Sequence, residues 1–228
     1  MRVLVATGLR REARILAGPE IEAVAGGGDA GRLEAALERL AGEGACGLIS
    51  IGIAGALAPG LHPGDWLVAS AVLDGEAVLL TDPAWTARLA ARLSARQGTF
   101  LGSDAVVAGA AEKVALHART GAAAVDMESH IAARVARRHG LPFAAARVIS
   151  DAADRSLPPA ARVGMRPDGG MDLAGVLRAL AARPGQLPAL IRTGWEAERA
   201  FRALLRGHRL LGSRLGAVDL GELPLDMA

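Results

Sequence analysis

Short apolar runs alternate along this chain with amphipathic helical stretches, and that alternation leaves few folds open to it. Residues 2–6 are an apolar run that ends at Thr7-Gly8, and residues 9–17 follow as a helix with arginine and glutamate on its outer face. Gly26-Gly27-Gly28-Asp29 reads as a turn before a helix over residues 33–40, whose Leu33, Leu37 and Leu40 make one stripe. Residues 46–51 read as a second buried strand, followed by a glycine turn, Gly52-Ile53-Ala54-Gly55. Residues 64–69 turn into a third strand, and Asp82-Pro83 opens a helix over 84–96. Short strands at 99–101 and 123–126 flank a helix over 111–117, and an apolar run at 143–149 follows a helix over 129–139. The pattern predicts an α/β fold with a largely parallel sheet. After Asp154 the character changes: Pro158, Pro159, Pro167 and the Gly169-Gly170 pair mark a loop, and two more helices follow. With no internal repeat, the reading is one domain over residues 1–228, of which 155–228 is a helical C-terminal extension.

The bulk composition narrows the partners. The 228 residues suffice for one α/β domain with a sizeable core. A formal net charge of +2 is too small to argue for nucleic acid, and with 3% aromatic residues and no tyrosine a base-stacking platform is not expected. The basic groups are arginines apart from Lys113, the only lysine. Cys46 is the only cysteine, so no internal disulfide can form; its apolar run predicts a buried, inert thiol. His62, His117, His130, His139 and His208 make no zinc-like cluster with it, so neither a metal nor another cofactor is expected. No stretch reaches the roughly 20 apolar residues that span a bilayer, and the expected location is cytoplasmic.

Two acidic segments carry the chemistry. Val125-Asp126-Met127-Glu128-Ser129 opens the helix over 129–139, and Arg147-Val148-Ile149-Ser150-Asp151-Ala152-Ala153-Asp154 ends the run over 143–149. Acids at the edges of one strand–helix–strand unit fall near the carboxyl ends of strands, where α/β proteins bind ligands. Two acids facing one small molecule can divide the work of breaking a glycosidic bond, one protonating the leaving group and one stabilising the sugar. Plainer readings stand beside this one. Asp151 and Asp154 could cap the next segment, Glu128 could be a first-turn helix acid, and Asp126 is better read as a cap than as a chemical group. Glu12, among Arg10, Arg11 and Arg14, could belong to an exposed ion-pair face. Gly52 and Gly55 could shape a turn or offer N–H groups to a phosphate or nucleoside.

Four segments in order, Gly8 with Glu12, Ile51-Gly52-Ile53-Ala54-Gly55-Ala56-Leu57, Val125-Asp126-Met127-Glu128, and residues 147–154, resemble the purine nucleoside phosphorylase and methylthioadenosine/S-adenosylhomocysteine nucleosidase superfamily. The resemblance runs from Arg2 to about Asp154. It implies a phosphorylase/hydrolase-like three-layer αβα fold with a mixed central sheet, and cleavage of a nucleoside's N-glycosidic bond. It implies that Asp151 hydrogen-bonds the purine and assists protonation at N7, which calls for a carboxyl kept neutral by burial. Ser150 and Arg147 would order that acid. Met127 and Glu128 would bind the ribose, Glu128 through the 2′- and 3′-hydroxyls, and Glu12 would activate water. Phosphate could instead be a co-substrate, held by Gly8, Arg10 or Arg11; the family name favours this. Relatives form homo-oligomers, commonly dimers.

The departures matter as much as the matches. Ile53 stands where relatives often carry serine, and Val106 where methylthioadenosine nucleosidases place an aromatic over adenine. The stretch between the first strand and Leu33 is short. Over residues 186–215, Leu190, Ile191, Trp195, Phe201, Leu204, Leu205 and Leu211 alternate with six arginines. Such a basic amphipathic helix can pack on the domain or lie on an anionic bilayer surface. Within the superfamily the chain is most similar to the hopanoid-associated phosphorylases. That resemblance implies release of adenine from adenosylhopane, giving phosphoribosyl- or ribosylhopane. The rivals are a nucleosidase for methylthioadenosine, S-adenosylhomocysteine or futalosine, and a nucleoside- or lipid-binding protein without turnover.

Overall fold

The computed structural model describes residues 2–162, 170 and 172–217. Among them, eight strands form one mixed sheet. β1 (Arg2–Thr7) lies between β2 (Ile21–Ala25) and β3 (Ala45–Ala56), parallel to both. β3 is also parallel to β8 (Phe143–Asp151), and β8 is antiparallel to β4 (Trp66–Asp74). β4 is antiparallel to β5 (Ala77–Leu80) and parallel to β6 (Arg96–Gly102). β6 is parallel to β7 (Ala124–Asp126), and β7 returns antiparallel to the end of β3. Strands β3, β8, β4, β6 and β7 therefore close a ring. At its rim Gly55 of β3 is paired with Val125 of β7 on one side and with Asp151 of β8 on the other. One strand end thus joins the two acidic segments.

Helices cover both faces, which is why the strands read as continuous apolar runs. In β1, Leu4 and Ala6 face one core while Val3 and Val5 face the other. The first core is closed by α2 (Ala30–Gly42), through Leu33, Leu37 and Leu40, and by α5 (Ser129–Arg138). The second is closed by α1 (Arg10–Leu16), α3 (Pro83–Leu93) and the second half of α8 (Leu187–Leu211). The caps act as the sequence suggests: Asp82 accepts the Trp85 N–H at 2.7 Å and Asp29 the Arg32 N–H at 2.9 Å. Between these layers and the C-terminus lie α4 (Ala110–Thr120), the single turn α6 (Pro159–Arg162) and α7 (Leu173–Ala182). Pro167 and Gly169 lie outside the described residues.

Three readings are corrected. Gly52-Ile53-Ala54-Gly55 is no turn; it lies in the 12-residue β3, paired with β8 from Leu48 to Gly55 and with β7 at Gly55 and Ala56. The helix over 84–96 stops at Leu93, and Arg96 already opens β6. The basic stripe over 186–215 is two surfaces: Phe201, Leu204 and Leu211 belong to the core, whereas Trp195 is 77% exposed. Strands β2 and β5 were not anticipated; both are short and sit at sheet edges. Cys46 is half-buried, with Sγ 3.3 Å from the Arg2 carbonyl.

Candidate active site

A cleft opens at the rim where β1, β3, β7 and β8 end. Its walls hold four carboxylates, Glu12, Asp126, Glu128 and Asp151, and apolar side chains that include Leu9, Ile53, Val106, Met127 and Leu157. All four carboxylates belong to residues more than nine-tenths buried. Buried acids need partners, and the two sides of the cleft supply them differently.

On one side, Arg147 of β8 is fully buried, and one of its terminal nitrogens (Nη2) serves the whole cluster. Nη2 donates to Ser50 Oγ at 2.7 Å, Asp126 Oδ1 at 2.9 Å, Glu128 Oε2 at 3.3 Å and Ser129 Oγ at 3.3 Å. Asp126 Oδ1 also accepts the Glu128 and Ser129 N–H groups at 2.9 and 2.7 Å, so it caps α5 and fixes the backbone from which Glu128 projects. Glu12 reaches in from α1: Oε2 accepts the Leu9 N–H at 2.7 Å and Oε1 the Ile53 N–H at 2.8 Å. One cation among three acids cannot neutralise all of them. Burial pushes Glu128 up to about 8; Arg147 opposes the rise, and Asp126 and Glu12 add to it. Burial also raises Glu12, against its backbone N–H bonds and Arg147. Burial would raise Asp126 too, but Arg147 and the hydrogen bonds from Ser129 and Glu128 outweigh it, and its pKa is lowered.

On the other side, Asp151 has a cation to itself. Lys113 of α4 is fully buried and its ammonium pairs with Asp151 Oδ2. The same Nζ donates to the carbonyls of Ala152 at 3.1 Å and Arg155 at 3.0 Å. Ser150 Oγ lies 2.6 Å from Asp151 Oδ1 and 3.1 Å from the Ala54 carbonyl.

Glycine is required where the chain crosses these acids. A Cβ on Gly8 would lie 2.9 Å from Glu128 Oε1, one on Gly52 2.6 Å from Glu12 Oε1, and one on Gly55 3.2 Å from Asp151 Oδ2. The glycines around the site therefore make room for carboxylates, and the Ile53 N–H between them is already taken by Glu12.

Of the residues singled out in the sequence, Gly8, Glu12, Ile53, Val106, Met127, Glu128, Ser150 and Asp151 all line this one cleft. Arg147 does not: it sits behind the wall, and none of its hydrogen bonds goes to Asp151, because Asp126 and Glu128 draw its guanidinium to the other side. Arg11 points away to α8, 2.7 Å from Glu198 and 4.0 Å over the Phe201 ring; Arg10 is exposed and outside the lining. Asp154 is exposed. Lys113 was missed as a site residue, although its being the only lysine in an arginine-rich chain was a usable signal.

The phosphorylase superfamily model matches residues 24–182. No curated protein is matched by sequence. Several solved structures share the fold. A 5′-methylthioadenosine/S-adenosylhomocysteine nucleosidase from Colwellia psychrerythraea, in complex with adenine, is 16% identical, with 96% of this chain and 97% of that one covered at a TM-score of 0.67. A nucleosidase of the same kind from Helicobacter pylori is 16% identical over 94% and 97%, with a TM-score of 0.64. The futalosine hydrolase of Helicobacter pylori is 16% identical over 92% and 97%, with a TM-score of 0.59. With most of its length matched by the family model and a mixed sheet of the same architecture, this chain belongs to the phosphorylase superfamily and is an enzyme of the nucleoside phosphorylase and nucleosidase kind.

Proposed function

We propose that the enzyme hydrolyses the N-glycosidic bond of an adenine nucleoside whose 5′ side carries a large apolar group, with adenosylhopane as the substrate to test first. The observation that carries the glycosidic reading is the opposed pair of acid systems across one cleft. Asp151 faces the base: its carboxyl gives a proton to N7, the C1′–N9 bond breaks with its electrons going to the purine, and a neutral base departs. Glu128 accepts hydrogen bonds from the ribose hydroxyls, and its negative charge favours the cationic sugar that develops. Glu12, held by two backbone N–H groups, orients the attacking water and accepts the proton that water gives up as its oxygen bonds to C1′.

Water is preferred over phosphate because, among the described residues, no lysine, arginine or histidine lines the cleft. A phosphate dianion would meet four acidic side chains there and no cation, and each acid that ionises would repel it at a cost that grows as the medium dries. The apolar 5′ group is supported by Leu9, Ile53 and Leu157 on the cleft wall. It is also supported by the surface beyond. From residue 173 to 195 the chain has Arg178, Arg183 and Arg192 and no acid, with Leu177, Leu187, Ile191 and Trp195 exposed. Such a surface suits contact with an anionic lipid interface; no helix among the described residues is long and apolar enough to cross a membrane. The likeness to methylthioadenosine nucleosidases keeps a small thio-nucleoside as the second reading. Adenine release from adenosylhopane in detergent micelles, beside methylthioadenosine, separates them. Turnover of the lipid nucleoside supports the first reading, and turnover of the small one alone replaces it with the second.

A further inference from the structure

Lys113 has no part in the steps above, yet it is the most completely satisfied cation of the described residues. An ammonium has three protons to donate, and all three are placed: one on Asp151, one on the Ala152 carbonyl and one on the Arg155 carbonyl. It lies outside the cleft lining, directly behind the acid that faces it. Two further hydrogen bonds tie the start of α4 to the same segment. The Ala110 N–H donates to Ser156 Oγ at 3.0 Å, and the Leu157 N–H donates to the Ala108 carbonyl at 2.9 Å. Residues 151–157, which hold Asp151, are thereby stitched to the start of one helix.

We propose that Lys113 is a positioning residue specific to departure of the base. It acts through Asp151 in two ways. The three hydrogen bonds fix the carboxyl at one point on the purine side of the cleft. The fixed charge then stabilises the carboxylate that Asp151 becomes once its proton has moved to N7, so the charge created in that step is met by a counter-charge that need not reorganise. Lysine suits this task and arginine does not. A compact ammonium can address two carbonyls and a carboxylate around one point, whereas a planar guanidinium presents a fork. The single lysine of an arginine-rich chain stands where that difference counts.

The proposal rests on the glycosidic reading of the site, and the test separates the two. Lys113→Met and Lys113→Arg are compared with wild type on an adenine nucleoside that the wild type cleaves, and on a riboside whose p-nitrophenolate leaving group departs without a proton. For Lys113→Met, kcat for adenine release is expected to fall about 100-fold, the low end of a general-acid contribution, with KM changed little, while p-nitrophenolate release keeps its rate within about threefold of wild type. Lys113→Arg is expected to recover part of the adenine rate. A parallel fall on both ribosides, or no fall on either, overturns the role of Lys113. Should Lys113→Met not fold, Lys113→Arg decides alone: a selective loss on adenine release supports the proposal, and equal rates or equal losses on the two ribosides overturn it. A wild type that frees no base from any nucleoside overturns the glycosidic reading itself.

Discussion

The two walls of the cleft hold buried acids by opposite arrangements. On the proposed ribose side Asp126 and Glu128 share the guanidinium of Arg147, and Glu128 is left with a pKa pushed up to about 8. On the base side one acid, Asp151, has one ammonium, and backbone carbonyls take the rest of its donors. Shared charge leaves a group whose ionisation can respond to what binds; exclusive charge leaves a group whose place is fixed. The difference suits the roles proposed for the two walls, a group whose ionisation can respond for the ribose hydroxyls and a group held in place for N7.

Breaking the base side should have the largest effect. Asp151→Asn is expected to lower adenine release by about 10²–10⁴-fold. With Lys113 buried behind it, the substitution also strands a cation, which typically costs about 3–5 kcal/mol. Urea unfolding should therefore show a large loss for Asp151→Asn and a smaller one for Lys113→Met with Asp151→Asn combined, and equal losses would contradict the exclusive pairing. On the ribose side, Arg147→Met strands Asp126 and Glu128 together, and a loss of similar size, about 3–5 kcal/mol, is expected in the same measurement.

Glu128→Gln tests the shared charge. Between the ordinary glutamate value of 4.5 and about 8, the folded protein holds a proton on Glu128 that the unfolded chain releases. Stability from this group is full below 4.5 and declines as pH rises to about 8, by at most about 1.4 kcal/mol per pH unit. Glu12, also raised, acts in the same direction. Asp126 is lowered and acts only below the ordinary aspartate value of 3.8, and the lowered His208 is unchanged in both proteins. Midpoints of unfolding for wild type should thus fall between pH 5 and 8 more steeply than those of Glu128→Gln; parallel curves would remove the elevated acid from the account. The smallest effect is expected far from both walls. Trp195→Ser should weaken sedimentation with anionic lipid vesicles by about 3- to 10-fold, as loss of one large exposed apolar side chain implies, and leave cleavage of a small water-soluble nucleoside unchanged.

Much of this architecture was legible in the residues. The alternation of apolar runs and helices, the Leu33, Leu37, Leu40 stripe and the Asp82 cap all follow from local periodicity and capping. So did the acids themselves, because a carboxylate at a strand end is a local feature. What escaped depends on pairing between distant segments. Gly52 and Gly55 read as turn formers, since sequence shows a missing side chain but not the acid that fills its space. The family resemblance implies that Arg147 orders Asp151, yet its acidic partners, Asp126 and Glu128, lie about 20 residues away in sequence. Lys113 lies 38 residues from Asp151 on a helix with no acidic pattern to match it. The stripe over 186–215 had one periodicity and two environments, and only the packing of Phe201 and Leu204 against the sheet divides it.

The central claim is that two opposed acid systems cleave an N-glycosidic bond with water as the nucleophile. Single-turnover adenine release in ¹⁸O-labelled water, with and without added phosphate, tests it most directly. Release at the same rate in both conditions, with ¹⁸O at C1′ of the sugar product, is expected. Release that requires phosphate, with a sugar 1-phosphate as product, would contradict it.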